Sequence, residues 1–255
     1  MIIQNETERT GIRTSGKYLG EVLDLLRDYV APGISTQYLE DRARELIAAR
    51  DCKPAFLKYT PRGAKRPYPA ALCVSVNDEI VHGIPNENPR ILKDGDIVTL
   101  DLGLSWNGFF TDSAISVPVG SVSSDVYTLI ECTTEALEAG IAEARAGNRI
   151  GDIGHAVESV GKKYKLQYPK ELGGHGVGRS VHEEPFIHNW GRRGQGEKLV
   201  EGMVLAIEPM FMLGSNKIKL LSDGYTYSTV DGKKTAHQEH TVIVTDGEPE
   251  VVTQI

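Results

Sequence analysis

Cysteine is scarce in this 255-residue chain, and the three present, Cys52, Cys73 and Cys132, form neither a C-x-x-C pair nor an even-numbered framework. A disulfide scaffold is therefore not expected, and the thiols are read as reduced. No uncharged apolar run approaches the roughly 18 residues of a membrane-spanning helix. The opening MIIQNETERT lacks the basic start and apolar core of a secretory signal, so a cytoplasmic protein is expected. Basic blocks are missing too: 28 Lys and Arg stand against 35 Asp and Glu, a net charge of −7, which argues against a nucleic-acid partner. No G-x-S-x-G elbow occurs. His182-Glu183-Glu184-Pro185-Phe186 is not H-E-x-x-H, because Phe186 replaces the second histidine and Pro185 would break the helix. The glycine-rich stretch 173–178 (GGHGVG) fits neither a dinucleotide fingerprint nor a P-loop, and is read as allowing close backbone approach around His175.

What is present is ordinary soluble composition, 40% hydrophobic and 25% charged, on a chain long enough for a sizeable core. Apolar spacing predicts helices over 7–30 and 37–50, then 124–146 and 150–164 on either side of Gly147. Strands are expected at 73–76, in a hairpin at 97–114, around His175, over 203–211 and over 239–244. Helices flanking antiparallel strands in this order read as α+β.

The hairpin organises the rest. Asn107-Gly108 is the strongest short hairpin signal, since both residues accept the positive φ of a type I′ turn. With those two as the loop, Trp106 pairs with Phe109 and Gly103 faces Asp112. Asp101 and Asp112 then become diagonal neighbours on one face. Surface aspartates beside a turn are the commoner case. Here the run Ile97, Val98, Leu100 and Leu102 is that of a strand covered on both faces, which puts Asp101 inside. Two carboxylates converging on an apolar face need a cation between them to stay charged.

An internal repeat supplies more. Residues 92–101 (LKDGDIVTLD) match 199–208 (LVEGMVLAIE), setting Asp101 against Glu208. Val81-His82-x-x-Pro85 matches Val181-His182-x-x-Pro185, and the helix–Gly33–helix unit matches helix–Gly147–helix. Their shared order suggests two similar halves, about 1–122 and 123–255, sharing one sheet about a pseudo-two-fold axis, with an acidic residue and a histidine from each meeting near it. Acidic and imidazole groups on or beside apolar strands are Asp101, Asp112, His175, Glu208 and Glu239. Four carboxylates and one imidazole suit two divalent cations, Mn²⁺, Fe²⁺ or Co²⁺ rather than a thiolate zinc site. His82 and His182, outside that set, are placed to contact substrate. His155, His188, His237 and His240 are taken as structural or surface residues.

The series HGIP at 82–85, TLDLG at 99–103, TDSA at 111–114, GGHGVGR at 173–179, VHEEP at 181–185, AIEPM at 206–210 and QEHT at 238–241 resembles type I methionine aminopeptidase across essentially the whole chain. The resemblance implies the pita-bread (creatinase/aminopeptidase) fold, two similar halves sharing a curved antiparallel sheet in a single catalytic domain, 1–255. It implies removal of the initiator methionine from nascent proteins whose second residue is small. Two divalent ions, Co²⁺, Mn²⁺, Fe²⁺ or Zn²⁺, would be bound by Asp101, Asp112, His175, Glu208 and Glu239, with Asp112 and Glu239 bridging. A metal-bridging hydroxide would attack the carbonyl, Glu208 would manage its proton, and His82 and His182 would contact substrate. Tyr59, Tyr68 and Cys73 resemble residues of the family's methionine pocket, where a thiol and aromatic rings suit a thioether. Tyr225 and Val181 stand where larger aromatics are often found, and 60–67 (TPRGAKRP) is longer than the usual link between the two pocket tyrosines. These departures bear on side-chain selectivity. Nascent N-termini are the implied partners, with ribosome contact inferred from that substrate class and a monomer as the default.

Two rival readings are an X-Pro peptidase of the same fold and a non-catalytic binding member. The first usually carries an additional N-terminal domain, whereas this chain starts with the catalytic fold. The second is expected to have lost ligands, and all five are in place.

Overall fold

The computed structural model describes residues 1–61 and 63–254. Helix α1 (Glu6–Asp28) is started by Asn5, whose side chain accepts from the Glu8 amide at 3.0 Å. Its apolar stripe, Leu19, Val22, Leu23 and Leu26, packs into one cluster with Leu100, Leu102 and Leu104 of the hairpin. Helix α2 (Thr36–Ala48) is capped by Ser35, which accepts from the Tyr38 amide at 3.1 Å. Glu40 on its inner face is fully buried and accepts from the amides of Ala71 and Leu72 at 2.9–3.0 Å, while Arg44 donates to it. That carboxylate anchors the chain just before the strand bearing Cys73.

The strands of the first half are β1 (Lys53–Pro54), β2 (Cys73–Val76), β3 (Glu79–Val81), β4 (Ile97–Trp106) and β5 (Phe109–Pro118). Strand β4 pairs antiparallel with β1, β2 and β5. The hairpin has the expected register, Trp106 opposite Phe109 and Gly103 opposite Asp112, with φ of +50° at Asn107 and +83° at Gly108. Helices α3 (Ser124–Ala142) and α4 (Ile150–Tyr164) open the second half. After them come β6 (Gly173–Gly176), β7 (Glu183–His188), β8 (Val204–Ile207), β9 (Met210–Met212), β10 (Ile218–Leu220), β11 (Tyr227–Thr229), β12 (Thr235–His237), β13 (His240–Ile243) and β14 (Glu250–Val251). They form a sheet in the order β14-β13-β8-β6-β7, with smaller pairings β10-β11-β3 and β9-β12.

The repeat appears as matched backbone hydrogen bonds. Gly33 donates to Leu92 O and Leu92 to Ile34 O; in the second half Gly147 donates to Leu199 O and Leu199 to Asn148 O, all at 2.8–3.0 Å. Val119 donates to Asp96 O, and Val244 to Met203 O. Where the halves meet, Ala114 and Glu239 exchange both backbone hydrogen bonds, at 3.4 and 2.9 Å. The Thr241 hydroxyl reinforces this seam, accepting from the Asp112 amide and donating to the Asp112 carbonyl.

Two expectations change. The strand expected over 203–211 is split: β8 ends at Ile207, Pro209 has no amide hydrogen to continue the ladder, and Met210 resumes in β9 against β12 rather than β13. The second half also holds strands that periodicity misses, because β10, β11 and β12 are three residues each and β7 is an edge strand with alternate residues exposed.

Candidate metal centre and active site

Antiparallel pairing aims the acidic residues at one point. Asp101 lies on β4 opposite Cys73 of β2, and Asp112 on β5 is its diagonal neighbour. Across the seam, His175 comes from β6, Glu208 follows the end of β8, and Glu239 immediately precedes β13. All five are at least nine-tenths buried. Ligand atoms of Asp112, His175 and Glu239 lie within 4.8 Å of one another. The chain can come this close only because residue 174 has no side chain: a Cβ there would stand 2.2 Å from the Ala206 carbonyl oxygen.

The donor set fits divalent cations. His175 Nδ1 is 2.9 Å from the Gly176 carbonyl oxygen, which assigns the proton to that nitrogen and turns the Nε2 lone pair toward Glu208 Oε1 at 3.5 Å and Asp112 Oδ2 at 3.8 Å. A lone pair facing carboxylate oxygens is repulsive without a cation between them. Asp112 Oδ1 and Glu239 Oε1 are buried with no hydrogen-bond partner among the described residues. Burial raises the Asp101 carboxyl to about 7. Burial first, and then the neighbouring carboxylates, hold Asp112, Glu208 and Glu239 well above the ordinary range. Positive charge is what this set lacks.

Two further histidines stand over the cluster. His82 adopts φ +62°, a left-handed backbone that side chains other than glycine seldom take, and it lines the same cavity as the acidic set. Burial, aided by the charge of His182, lowers its pKa to about 4. His182, ahead of β7, has its ring centroid 4.4 Å from that of His175, and its Nδ1 is 3.0 Å from the Tyr59 hydroxyl. That contact leaves Nε2 of His182 for a ligand.

The cavity, about 440 Å³, is lined by all eleven residues singled out above, with Phe56 and Pro61 in addition. One end is the acidic floor. The other is an apolar pocket walled by Phe56, Tyr59, Tyr68, Cys73 and Tyr225. Burial first, then the charge of Asp101, raises the Cys73 thiol well above its usual range, so it is a neutral wall residue and not a nucleophile. Val181 is buried in the same apolar cluster. The long 60–67 segment does not separate its flanking tyrosines: the Tyr68 amide donates to Tyr59 O and the Lys58 amide to Tyr68 O, both at 2.8 Å. The segment loops out from a closed base and adds Pro61 to the rim; its Arg62 lies outside the described residues. A second cavity of about 500 Å³ shares His82, His175, His182 and Glu208 with the first and opens toward Phe186.

His237, expected to be structural or at the surface, is buried behind the cluster. It is 1% exposed, with Nε2 at 3.5 Å from Glu208 Oε2 and 3.7 Å from Glu239 Oε2. Nothing in the sequence marks Glu40 as the buried anchor of the Cys73 strand.

Comparison with known proteins agrees with this geometry. The sequence profile of metallopeptidase family M24 matches residues 10–246. The chain is 42% identical over 255 residues to the methionine aminopeptidase of Clostridium perfringens, covering 100% of this chain and 99% of that protein. It is similar to the crystal structure of methionine aminopeptidase from Thermotoga maritima, with a TM-score of 0.93, 36% identity and complete coverage of both chains. A prolidase from Pyrococcus furiosus shares the fold at a TM-score of 0.76 and 20% identity, this chain covering 66% of it.

Proposed function

This chain belongs to metallopeptidase family M24, and from that premise we propose that it is a metal-dependent aminopeptidase releasing the N-terminal methionine of polypeptides whose second residue is small. The observation that carries the reading is one cavity with two unlike ends. A buried acidic cluster that requires cations faces an apolar pocket of aromatic rings and a neutral thiol, suited to a flexible thioether. Both halves, about 1–122 and 123–255, contribute to it, so the chain is taken as one catalytic domain.

Asp101, Asp112, His175, Glu208 and Glu239 are the residues that would hold two divalent ions. Such ions supply an ionised water at neutral pH and polarise a carbonyl. The side chains of this protein do the rest. The apolar wall seats the methionine side chain, which brings its α-amine to the acidic floor and restricts attack to the first peptide bond. His182, held through Nδ1 by Tyr59, presents Nε2 to the carbonyl oxygen, where charge develops. His82 faces the scissile nitrogen. Glu208, a carboxylate beside the attacking water, takes its proton and returns it to the departing amine. The remaining polypeptide leaves through the second cavity.

The partners of this reading are nascent N-termini, and that substrate class places the protein in the cytoplasm with access to ribosomes. Among the described residues no helix is long and apolar enough to cross a membrane. One chain supplies every residue of the site, so a monomer suffices.

The test is methionine release from Met-Ala-Ser beside release of the first residue from an X-Pro peptide. It uses metal-stripped protein with Mn²⁺, Fe²⁺, Co²⁺ or Zn²⁺ restored. Metal-dependent cleavage of the methionyl peptide alone is expected. Cleavage of the X-Pro peptide instead would move the chain to the prolidase-like branch of the fold, and no cleavage with any metal would leave a binding role.

A further inference from the structure

The rim of the apolar pocket is fastened by a residue that neither the acidic cluster nor the histidines explain. Arg66 sits near the end of the looped-out 60–67 segment, and its guanidinium reaches two other segments at once. Nη1 and Nη2 contact Glu87 Oε1 and Oε2 at 2.5 and 2.7 Å, while Nε and Nη2 donate to the Asp223 carbonyl at 3.3 and 3.0 Å. Its own carbonyl accepts from the Tyr225 hydroxyl, and its guanidinium carbon lies 5.9 Å from the centroid of the Tyr225 ring. Tyr225 in turn stands edge-on to Tyr68, ring centroids 5.1 Å apart at 77°. Both rings line the pocket.

An exposed ion pair contributes little by itself. Here one planar fork spends its donors on a carboxylate and a main-chain carbonyl from different parts of the chain, a geometry lysine cannot reproduce. The contacts also cross the seam, since Asp223 and Tyr225 belong to the second half and Tyr59, Arg66 and Tyr68 to the first.

We propose that Arg66 is a specificity-determining positioning residue, holding Tyr59, Tyr68 and Tyr225 in place around the methionine pocket so that its shape is set before substrate arrives. The inference rests on the peptidase reading above. A pocket fixed in advance lowers the ordering cost of binding and favours the side chain that fits it. Release of the clasp should therefore act on binding and selectivity while sparing the chemical step. The reason is local: Asp223 caps its own turn, accepting from the amides of Tyr225 and Thr226 at 2.8 and 2.9 Å, and Thr226 Oγ1 still reaches the His82 carbonyl. The support of His82 does not pass through Arg66.

Arg66→Ala, Arg66→Lys and Glu87→Gln, each loaded with the same metal, are compared with wild type on Met-Ala-Ser, and inhibition by free L-methionine and L-leucine is measured alongside. Arg66→Ala is expected to raise KM about ten-fold, the loss of roughly one good hydrogen-bonded contact, with kcat within about two-fold. The preference for L-methionine over L-leucine should shrink. Arg66→Lys should recover part of both effects, and Glu87→Gln, which keeps an acceptor, should lie nearest wild type. Unchanged KM and unchanged preference in Arg66→Ala would overturn the inference. So would KM and kcat deteriorating together with the melting temperature, the mark of a merely structural role. No turnover by wild type would overturn the peptidase reading and this inference with it.

Discussion

The Tyr59 hydroxyl lies 3.0 Å from Nδ1 of His182, so a wall residue of the apolar pocket also orients the imidazole over the acidic floor. Filling the pocket and aligning the histidine are thus coupled through one phenol. Tyr59→Phe keeps the wall and removes the hydroxyl; kcat/KM on Met-Ala-Ser should fall about five- to ten-fold, as for loss of one hydrogen bond near 1 kcal/mol. His182→Ala should cost about a hundred-fold or more, mostly in kcat, if the ring stabilises developing charge. Equal losses in the two variants would show that the ring acts only through its tyrosine.

Asp112 carries the metal prediction. Its Oδ1 is buried without a partner among the described residues, and its main chain is tied to Thr241 independently of the side chain. Asp112→Asn should keep the fold, read by circular dichroism, and lose bound metal, read by elemental analysis. Metal content equal to wild type would remove Asp112 from the ligand set.

Stability of the metal-stripped protein should fall as pH rises above about 7.5. The buried imidazoles have folded-state values lowered from 6.5 to about 3 or 4, so they add stability as pH rises through the unfolded value and contribute no slope once the unfolded imidazoles are also neutral, above about 7.5. The carboxyls behave oppositely: Asp101 is raised from 3.8 to about 7, and Asp112, Glu208 and Glu239 are held well above the ordinary carboxylate range. The folded state then holds more protons than the unfolded, and stability is lost until each carboxyl ionises in place. Melting temperature between about pH 7.5 and 9 should decline without metal and flatten with saturating Mn²⁺. A flat profile without metal would mean that the carboxylates are relieved in some other way.

Glu40→Gln should destabilise the fold by about 1–3 kcal/mol, because one carboxylate serves two amides and Arg44. Gln offers one acceptor oxygen in place of two. Urea denaturation measures this, and a change below about 0.5 kcal/mol, the size of an ordinary surface substitution, would deny Glu40 its anchoring role.

Legibility in the sequence followed the range of each signal. The hairpin from Ile97 to Ala114 was readable, because Asn107-Gly108 sets the turn and the turn sets the register that brings Asp101 beside Asp112; the pairing then runs on to Pro118. The pseudo-symmetry was readable because both halves solve the same local problem, a glycine in the link between two helices bonded to a leucine that leads into a strand, with Gly33 and Leu92 in one half and Gly147 and Leu199 in the other. The place of His237 beside the carboxyls comes from β12 pairing with β9, a contact between three-residue strands that no periodicity announces. Glu40 carries no signal of its own in the sequence. Only the approach of 71–72, set by tertiary packing, makes it a buried anchor. The clasp of Arg66 depends on a meeting of segments far apart in the chain, which composition cannot reveal.

The seam at Ala114 and Glu239 has a mechanical consequence. The proposed metal ligands lie on both sides of it, Asp101 and Asp112 before and His175, Glu208 and Glu239 after, so a bound cation is also a staple between halves that are otherwise joined there by a few backbone and hydroxyl hydrogen bonds. Stripping the metal removes that staple and leaves carboxyls across the join that repel one another as they ionise with rising pH. The first parts of the molecule to breathe should be the middle of β5 and the start of β13, where the amides of Asp112 and Glu239 would exchange with deuterium sooner than those of the helices behind them.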